Sequence, residues 1–363
     1  MTKLSLSLLA SLSFIVSVAS TALPPSNTAN SLLTPRVPSH FPCDCYLISG
    51  EDPGYFTNYK FWDFRNVRLP HNHSASETNT NSPLANTILW ESETLPLSES
   101  PFNTDWQTQS WSRNKTVDSI IPIVNSEFNA FFARHPNYLD TTQLVLRTTR
   151  LANYSSTAEI ESVNGNFFHC SIRVRMRLIG ACAGIFTYRS AMCESDLEFL
   201  TSDPPNTIHY ANQPDYDPEA DIIVPGASEV VTTVPRPWSA WGTHRMDWFV
   251  NKTRWYADGE LQADVSVSVP DRPSILAMNL WSDGGVWTGD MKVDESVYMG
   301  IEWIEIAYNT STVGLSPIET NQRHRNRPSE WRKGGSHQKK QVSGGEARES
   351  CERPCYLDKM QYY

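Results

Sequence analysis

The chain is predicted to be all-β, an antiparallel sandwich or jelly roll. Three observations carry that prediction. In CSIRVRMRL (170–178), Ile172, Val174, Met176 and Leu178 alternate with Arg173, Arg175 and Arg177. Period two over this length is a strand with one buried and one polar face. Further short apolar runs recur between turn signals, and 24 Pro and 17 Gly punctuate the chain. Twelve Trp, 14 Tyr and 14 Phe supply a core that a disordered chain would lack.

The elements follow in chain order. Lys3 is followed by LSLSLLASLSFIVSVA and then small residues, with Ala19 and Ala22 as cleavage points. Residues 1–22 therefore read as a secretory signal peptide, too short and serine-rich for a stable anchor. Residues 23–42, rich in Pro, Ser, Thr and Asn, read as an N-terminal extension. From Cys43 to about Ser316 the β texture is uniform, and 43–316 is taken as one domain. SEFNAFFAR (126–134) is the better of two short helical candidates. HRMDWFV (244–250) and TRWYADGELQA (253–263) are strands around an Asn251-Lys252 turn, and Asp258-Gly259 supplies the next hairpin turn. SILAMNLW (274–281) and IEWIEIAY (301–308) are two further strands. Residues 317–363 read as a flexible basic tail that ends in a cysteine pair.

Charge and cysteine usage restrict function and compartment. Lys and Arg total 30 against 40 Asp and Glu, a net −10. From Asn321 onward there are ten Lys/Arg and five Asp/Glu, so the rest of the chain carries the acid. An acidic domain is a poor partner for phosphate backbones, which argues against nucleic acid. No later stretch is apolar enough to span a membrane. Export makes the seven cysteines candidates for disulfides rather than a metal site. Cys43/Cys45 are expected to bridge Cys351/Cys355, Cys170 and Cys182 to close a hairpin, and Cys193 to be left over. Five sequons agree with export, at Asn72, Asn114, Asn153, Asn251 and Asn309.

The chemistry is expected at Glu194-Ser-Asp-Leu-Glu198. On a strand, Glu194, Asp196 and Glu198 share one face, with Ser195 and Leu197 on the other. Like charges in a row are costly, and at least one carboxyl must resist ionisation. Two carboxyls in different environments are what retaining glycoside hydrolysis requires, one as nucleophile and one as acid/base. A polar sheet edge would also present three acids, whereas a calcium loop pattern is absent.

This pattern resembles glycoside hydrolase family 16, the laminarinase, lichenase and transglycosylase group. CDCYLISGEDPGYFTNYKFWDFR (43–65), ACAGIFTYRSAMCESDLEFLT (181–201), THRMDWFVNKTRWYADGELQ (243–262), ILAMNLWSDGGVWTGDM (275–291), IEWIEIAYNTS (301–311) and SCERPCYLD (350–358) resemble its secreted fungal members. The resemblance implies a concanavalin A-like jelly roll, a β-sandwich whose concave sheet forms the substrate cleft. It implies Glu194 as nucleophile, Glu198 as general acid/base and Asp196 as the assisting carboxylate. It implies no cofactor and no catalytic metal, although some relatives carry a structural calcium ion. Ser195 stands where many bacterial members have an aliphatic residue, and Cys193 directly before the nucleophile is a further departure.

Sugars offer C–H faces to aromatic rings. Trp281 and Trp287 flank a Gly-rich loop, and Trp241 and His244 precede or open the HRMDW strand. These four are the expected substrate contacts, while Trp255 and Trp303 are expected in the core. The arginine stripe at 173, 175 and 177 is expected to be a polar outer face. The expected activity is hydrolysis of β-linked glucan, endo-acting on β-1,3 or mixed β-1,3/1,4 linkages, by a secreted monomer. The alternatives are a cell-wall transglycosylase on the same site and a non-catalytic lectin-like protein.

Overall fold

The computed structural model describes residues 43–49, 54–70, 93–138, 140–311 and 351–359. The expected leader and extension, Asn72, and the tail between 312 and 350 lie outside these residues. The principal strands are β1 (Cys45–Leu47), β2 (Asn58–Asp63), β3 (Ala130–Arg134), β4 (Thr142–Arg150), β5 (Ser155–Ser162), β6 (Phe167–Ile179), β7 (Cys182–Ser190) and β8 (Cys193–Leu200). They continue as β9 (Ile208–Gln213), β10 (Ser228–Val231), β11 (Gly242–Trp248), β12 (Thr253–Ala257), β13 (Glu260–Val265), β14 (Ile275–Trp281), β15 (Ser296–Thr310) and β16 (Pro354–Tyr356).

Two sheets face each other. In the first, β15 pairs with β6, β6 with β11, β11 with β12 and β12 with β13. The other edge of β15 is shared by β2 and β4, and β3 pairs with β4. In the second sheet the order is β5, β14, β7, β8, β9, β10, all antiparallel. The alternation read in β6 is what the structure uses. Ile172, Val174, Met176 and Leu178 are buried between the sheets with Met246, Trp248 and Trp255. Facing them from the second sheet are Ile185, Leu197, Phe199, Tyr210, Met278 and Leu280. Each such side chain contributes roughly 1.5–3 kcal/mol by leaving water.

The polar face of β6 pairs with acid, as its sequence suggests. Arg173 donates to Glu305 at 3.0 Å and to Asp358 at 2.8 Å, and Arg175 donates to Glu302 at 2.8 Å. The turn between β12 and β13 has Asp258 at φ 48° and Gly259 at φ 86°, the left-handed pair expected of Asp-Gly.

Two sequence expectations are corrected. Residues 126–134 form no α-helix. The Ser126 hydroxyl accepts from Phe128 N at 3.4 Å and caps one 3₁₀ turn, Glu127–Asn129, after which β3 begins. Ala130 and Phe132 enter the main core, while Phe131 and Ala133 pack on the other face against Val145 and Tyr298. A segment buried on both faces has no alternation to betray it as a strand.

Cys170, Cys182 and Cys193 are buried and lie outside both disulfides. Cys170 sits nine residues before the end of β6, about 30 Å of strand, whereas Cys182 opens β7. β6 and β7 belong to different sheets, so the two strands form no hairpin that a disulfide could close. The terminal pairs do bridge, as Cys43–Cys355 and Cys45–Cys351. They hold β16 parallel to β1. Asp358 then ties this clip to the first sheet, accepting from Ser49 N at 2.6 Å, Arg173 at 2.8 Å and Arg245 at 3.4 Å.

Candidate active site

The acid row lies on β8, between β7 and β9 in the second sheet. Leu197 and Ser195 point inward and are almost fully buried. Ser195 donates to Asn212 Oδ1 at 2.6 Å, and Asn212 donates to the Val267 carbonyl at 3.1 Å. A hydroxyl in place of an aliphatic group thus serves a buried polar link that fixes β8 to β9 behind the acids. Glu194, Asp196 and Glu198 point outward and line one cavity. Glu194 and Asp196 are each 5% exposed, and Glu198 is half-buried. Asp196 accepts from Gln213 Nε2 at 2.9 Å. Cys193 is a buried thiol whose pKa is raised by burial, partly offset by the backbone of Asp271 and Arg272.

The same face of the neighbouring strands completes the cavity. Residues directly opposite in antiparallel strands point the same way. Glu159 of β5 pairs with Asn279 of β14, Asn279 with Gly184 of β7, Gly184 with Glu198, and Glu198 with His209 of β9. This row crosses five strands, about 19 Å at the usual inter-strand spacing. Gly184 leaves a gap in it, since a Cβ there would meet Asn279 Oδ1 at 2.9 Å and the Phe186 ring at 3.3 Å. One step along, Glu161 and Asp196 share the next row through Ala277 and Phe186.

Aromatic rings wall the β5 side. Trp111 donates its indole N–H to Glu159 Oε1 at 3.0 Å. The Arg113 guanidinium lies 5.3 Å from the Trp281 ring centroid and donates to Asp283 Oδ2 at 2.6 Å and to Ser119 at 3.0 Å. Asp283 organises the loop after β14, accepting from Gly285 N at 3.0 Å and from the Thr288 hydroxyl at 2.7 Å. That loop carries Trp287 across to His209, with ring centroids 5.0 Å apart and planes at 68°.

Of the four aromatic or His candidates, two stand by the carboxylates. Trp281 lines the cavity, and Trp287, 44% exposed, reaches the His209 end of the row. Trp241 and His244 lie elsewhere and are corrected as cleft residues. Trp241 stacks on His135 at 4.9 Å with Arg177 over its ring at 5.5 Å, on the outer face of the first sheet. His244 faces the interior, its ring 4.9 Å from that of Phe199, and burial pushes its pKa down to about 4. Glu159, Glu161, Asn279 and Tyr188 line the cavity without having been singled out in the sequence, and Trp111, which sits in a Trp-rich loop of the sequence, lines it too. Their signal was present for the acids: AEIES (158–162) has the same alternation as ESDLE (194–198).

No protein-family model matches the chain. Among curated proteins it is 25% identical over 222 residues to a β-glucanase of Paenibacillus polymyxa, covering 57% of this chain and 89% of that one. It is 26% identical over 243 residues to a β-glucanase of Paenibacillus macerans, covering 63% and 91%. A solved β-glucanase structure from Bacillus licheniformis aligns at 19% identity over 60% of this chain and 97% of that one, with a TM-score of 0.46. The two-sheet sandwich carries the acid row on an outward strand face, and the chain is similar to curated β-glucanases over most of their length.

Proposed function

We propose that the protein is a secreted, retaining glycoside hydrolase that cleaves β-linked glucan, endo-acting on β-1,3 or mixed β-1,3/1,4 linkages. The observation that carries this reading is the row Glu194, Asp196, Glu198 on the floor of a cavity walled by Trp111 and Trp281. The relatives' name, β-glucanase, supplies the substrate class. Glu194 attacks the anomeric carbon while Glu198 protonates the departing glycosidic oxygen. Water, deprotonated by Glu198, then releases the sugar from Glu194. Asp196, held by Gln213, orients the pair from between them. The apolar leader at 1–22 and the five sequons support export.

Product analysis on laminarin and barley β-glucan tests the reading, with Glu194→Gln as the comparison. Release of oligosaccharides by the wild type, and a loss of about 1,000-fold or more in the variant, is expected for removal of a nucleophile. Lengthened acceptors without new reducing ends would make it a transglycosylase. Binding without turnover by both proteins would make it a lectin and overturn the catalytic assignment.

A further inference from the structure

Two consecutive residues of β9 grip two consecutive residues of β8 from opposite faces. Asn212 lies directly opposite Ser195, and Gln213 directly opposite Glu194. Asn212 points inward, and its Oδ1 accepts from the Ser195 hydroxyl at 2.6 Å. Gln213 points outward and reaches diagonally, its Nε2 donating to Asp196 Oδ2 at 2.9 Å. Each amide is also fixed at its other end. Asn212 Nδ2 donates to the Val267 carbonyl at 3.1 Å, and Gln213 Oε1 accepts from Asp215 N at 3.1 Å. A carbonyl only accepts and a backbone N–H only donates, so neither amide can turn over.

The grip is mounted on both sheets. Ser195, Asn212 and Thr253 are fully buried. Having given its hydrogen to Asn212, the Ser195 hydroxyl accepts from Thr253 Oγ1 at 3.4 Å, a tie from β12 in the first sheet to β8 in the second. The loop between β13 and β14 holds both neighbours of Gln213. Val267 takes the Asn212 hydrogen bond, and the Ser268 hydroxyl donates to the Pro214 carbonyl at 2.9 Å. Ser268 adopts φ 53°, a left-handed conformation that persists in a residue with a side chain where its surroundings over-determine it.

We propose that Asn212 and Gln213 form a two-faced clamp on Ser195-Asp196, in which Ser195, Asn212 and Gln213 are positioning residues for Glu194 and Asp196. This rests on the proposed glycoside hydrolase activity. The effect travels through the backbone. Ser195 is bonded to Glu194 on one side and to Asp196 on the other. Pinning its side chain beneath the sheet fixes the height of both carboxylates above it. Gln213 then removes the rotational freedom left to the Asp196 side chain. Glu198, two residues beyond Asp196, lies outside the grip. Attack on an anomeric carbon tolerates little error in approach, and a misplacement of about 1 Å costs on the order of 100-fold in rate. A buried polar link behind the nucleophile costs desolvation, and its three hydrogen bonds offset that cost only while all partners stay in register.

The test gives the full-length protein two substrates, a defined glucan oligosaccharide and a dinitrophenyl glycoside of the same glycosyl unit. The second needs no proton on its leaving group, so single-turnover release of dinitrophenolate isolates the nucleophile from Glu198. Ser195→Ala removes the inward bond and Gln213→Leu the outward one. Each is expected to lower kcat on the oligosaccharide about 10-fold or more with KM within about twofold, and to slow dinitrophenolate release by a similar factor. The double variant is expected to lose less than the product of the two single losses, because both bonds hold one dipeptide. Ser195→Thr, which keeps a hydroxyl, is expected to recover most of the loss. Gln213→Leu alters the outer face only, so it tests the proposal even where the buried Ser195→Ala fails to fold. A lower Tm with unchanged rates on both substrates would make the clamp a support for stability alone and overturn the proposal. A loss confined to the oligosaccharide would place the effect on Glu198, and a loss carried by KM would place it in binding; either overturns it too. A wild type inactive on both substrates would overturn the glycosidase reading together with this one, whereas an active wild type with unaffected variants overturns this one alone.

Discussion

Trp111 donates its indole N–H to Glu159 Oε1 at 3.0 Å, which fastens a wall ring of the cavity to a floor strand separated from β8 by two others. Glu159 is only 6% exposed, so this hydrogen bond is shielded from water. The carboxylate therefore has a positional task distinct from that of the acid row. For Glu159→Ala, KM on glucan is expected to rise about 3- to 10-fold while kcat changes much less, the signature of lost ground-state binding. Michaelis kinetics on one defined oligosaccharide would show it; a collapse of kcat with unchanged KM would place Glu159 in the chemical step instead.

Stability in mild acid should be limited by buried histidine. Burial pushes both His169 and His244 down to about 4, well below an unperturbed imidazole. The folded state then binds fewer protons than the unfolded chain between about pH 6.5 and 4. Their stabilising neutrality is complete above about pH 6.5 and lost as pH falls toward 4. For His244 the loss is roughly 2 kcal/mol by pH 5. His244→Leu should flatten that part of the curve, measured as urea midpoints at pH 7 and 5. An equally steep fall in the variant would move the effect to other groups.

A second acid transition is expected lower, at the terminal clip. Burial raises the Asp358 pKa, but Arg173, the Ser49 hydrogen bonds and Arg245 outweigh it, and the net shift is downward. A depressed carboxyl stabilises fully above its unfolded pKa, about 3.9, and loses that contribution as pH falls through the folded value. Asp358→Asn should cost about 2 kcal/mol at pH 7, less than a fully buried pair because Asp358 is partly exposed. That corresponds to a Tm lower by about 5 °C. At pH 3 the two proteins should melt closer together, and a constant gap across pH would contradict the assignment.

Export would expose the sequons to glycosylation, and the structure sorts them. Asn114, Asn153 and Asn251 are exposed. Asn309 is not equivalent: its Nδ2 donates to the Tyr55 carbonyl at 2.9 Å and its Oδ1 accepts from Thr57 N at 3.0 Å. The nitrogen that would carry a glycan is already committed to a link between the Tyr55–Thr57 segment and the end of β15. Glycopeptide mass spectrometry of the exported protein should find glycan at some of the first three and none at Asn309. A fully occupied Asn309 would mean that this link forms after modification or not at all.

Much of this was legible in the sequence. The alternation in β6 named its buried and charged faces, and Asp258-Gly259 named a turn, because period and φ requirements are local. His244 was also legible. It shares the parity of Met246 and Trp248, both core residues, so its inward direction followed from the alternation of HRMDW. Trp241 was not, because its surroundings come from His135 and Arg177, distant in sequence. β3 was hidden for the opposite reason, having apolar neighbours on both faces. The pairing of Glu198 with His209 needed the strand register, which no single segment encodes.

The two terminal disulfides join positions 312 and 306 residues apart in sequence. Both sheets therefore lie within a covalent ring. Closing so long a loop removes conformational freedom from the unfolded chain worth on the order of 5 kcal/mol, and the second bridge, only a few residues inside the first, adds far less. A ring can also be cut once without coming apart. A single protease nick between Cys45 and Cys351 would leave two fragments held together by the disulfides, migrating as one species until reduced. Such a cut, made in an exposed loop, would add a pair of chain ends there while residues 43 and 355 stay joined: a two-chain molecule produced after synthesis rather than in the gene.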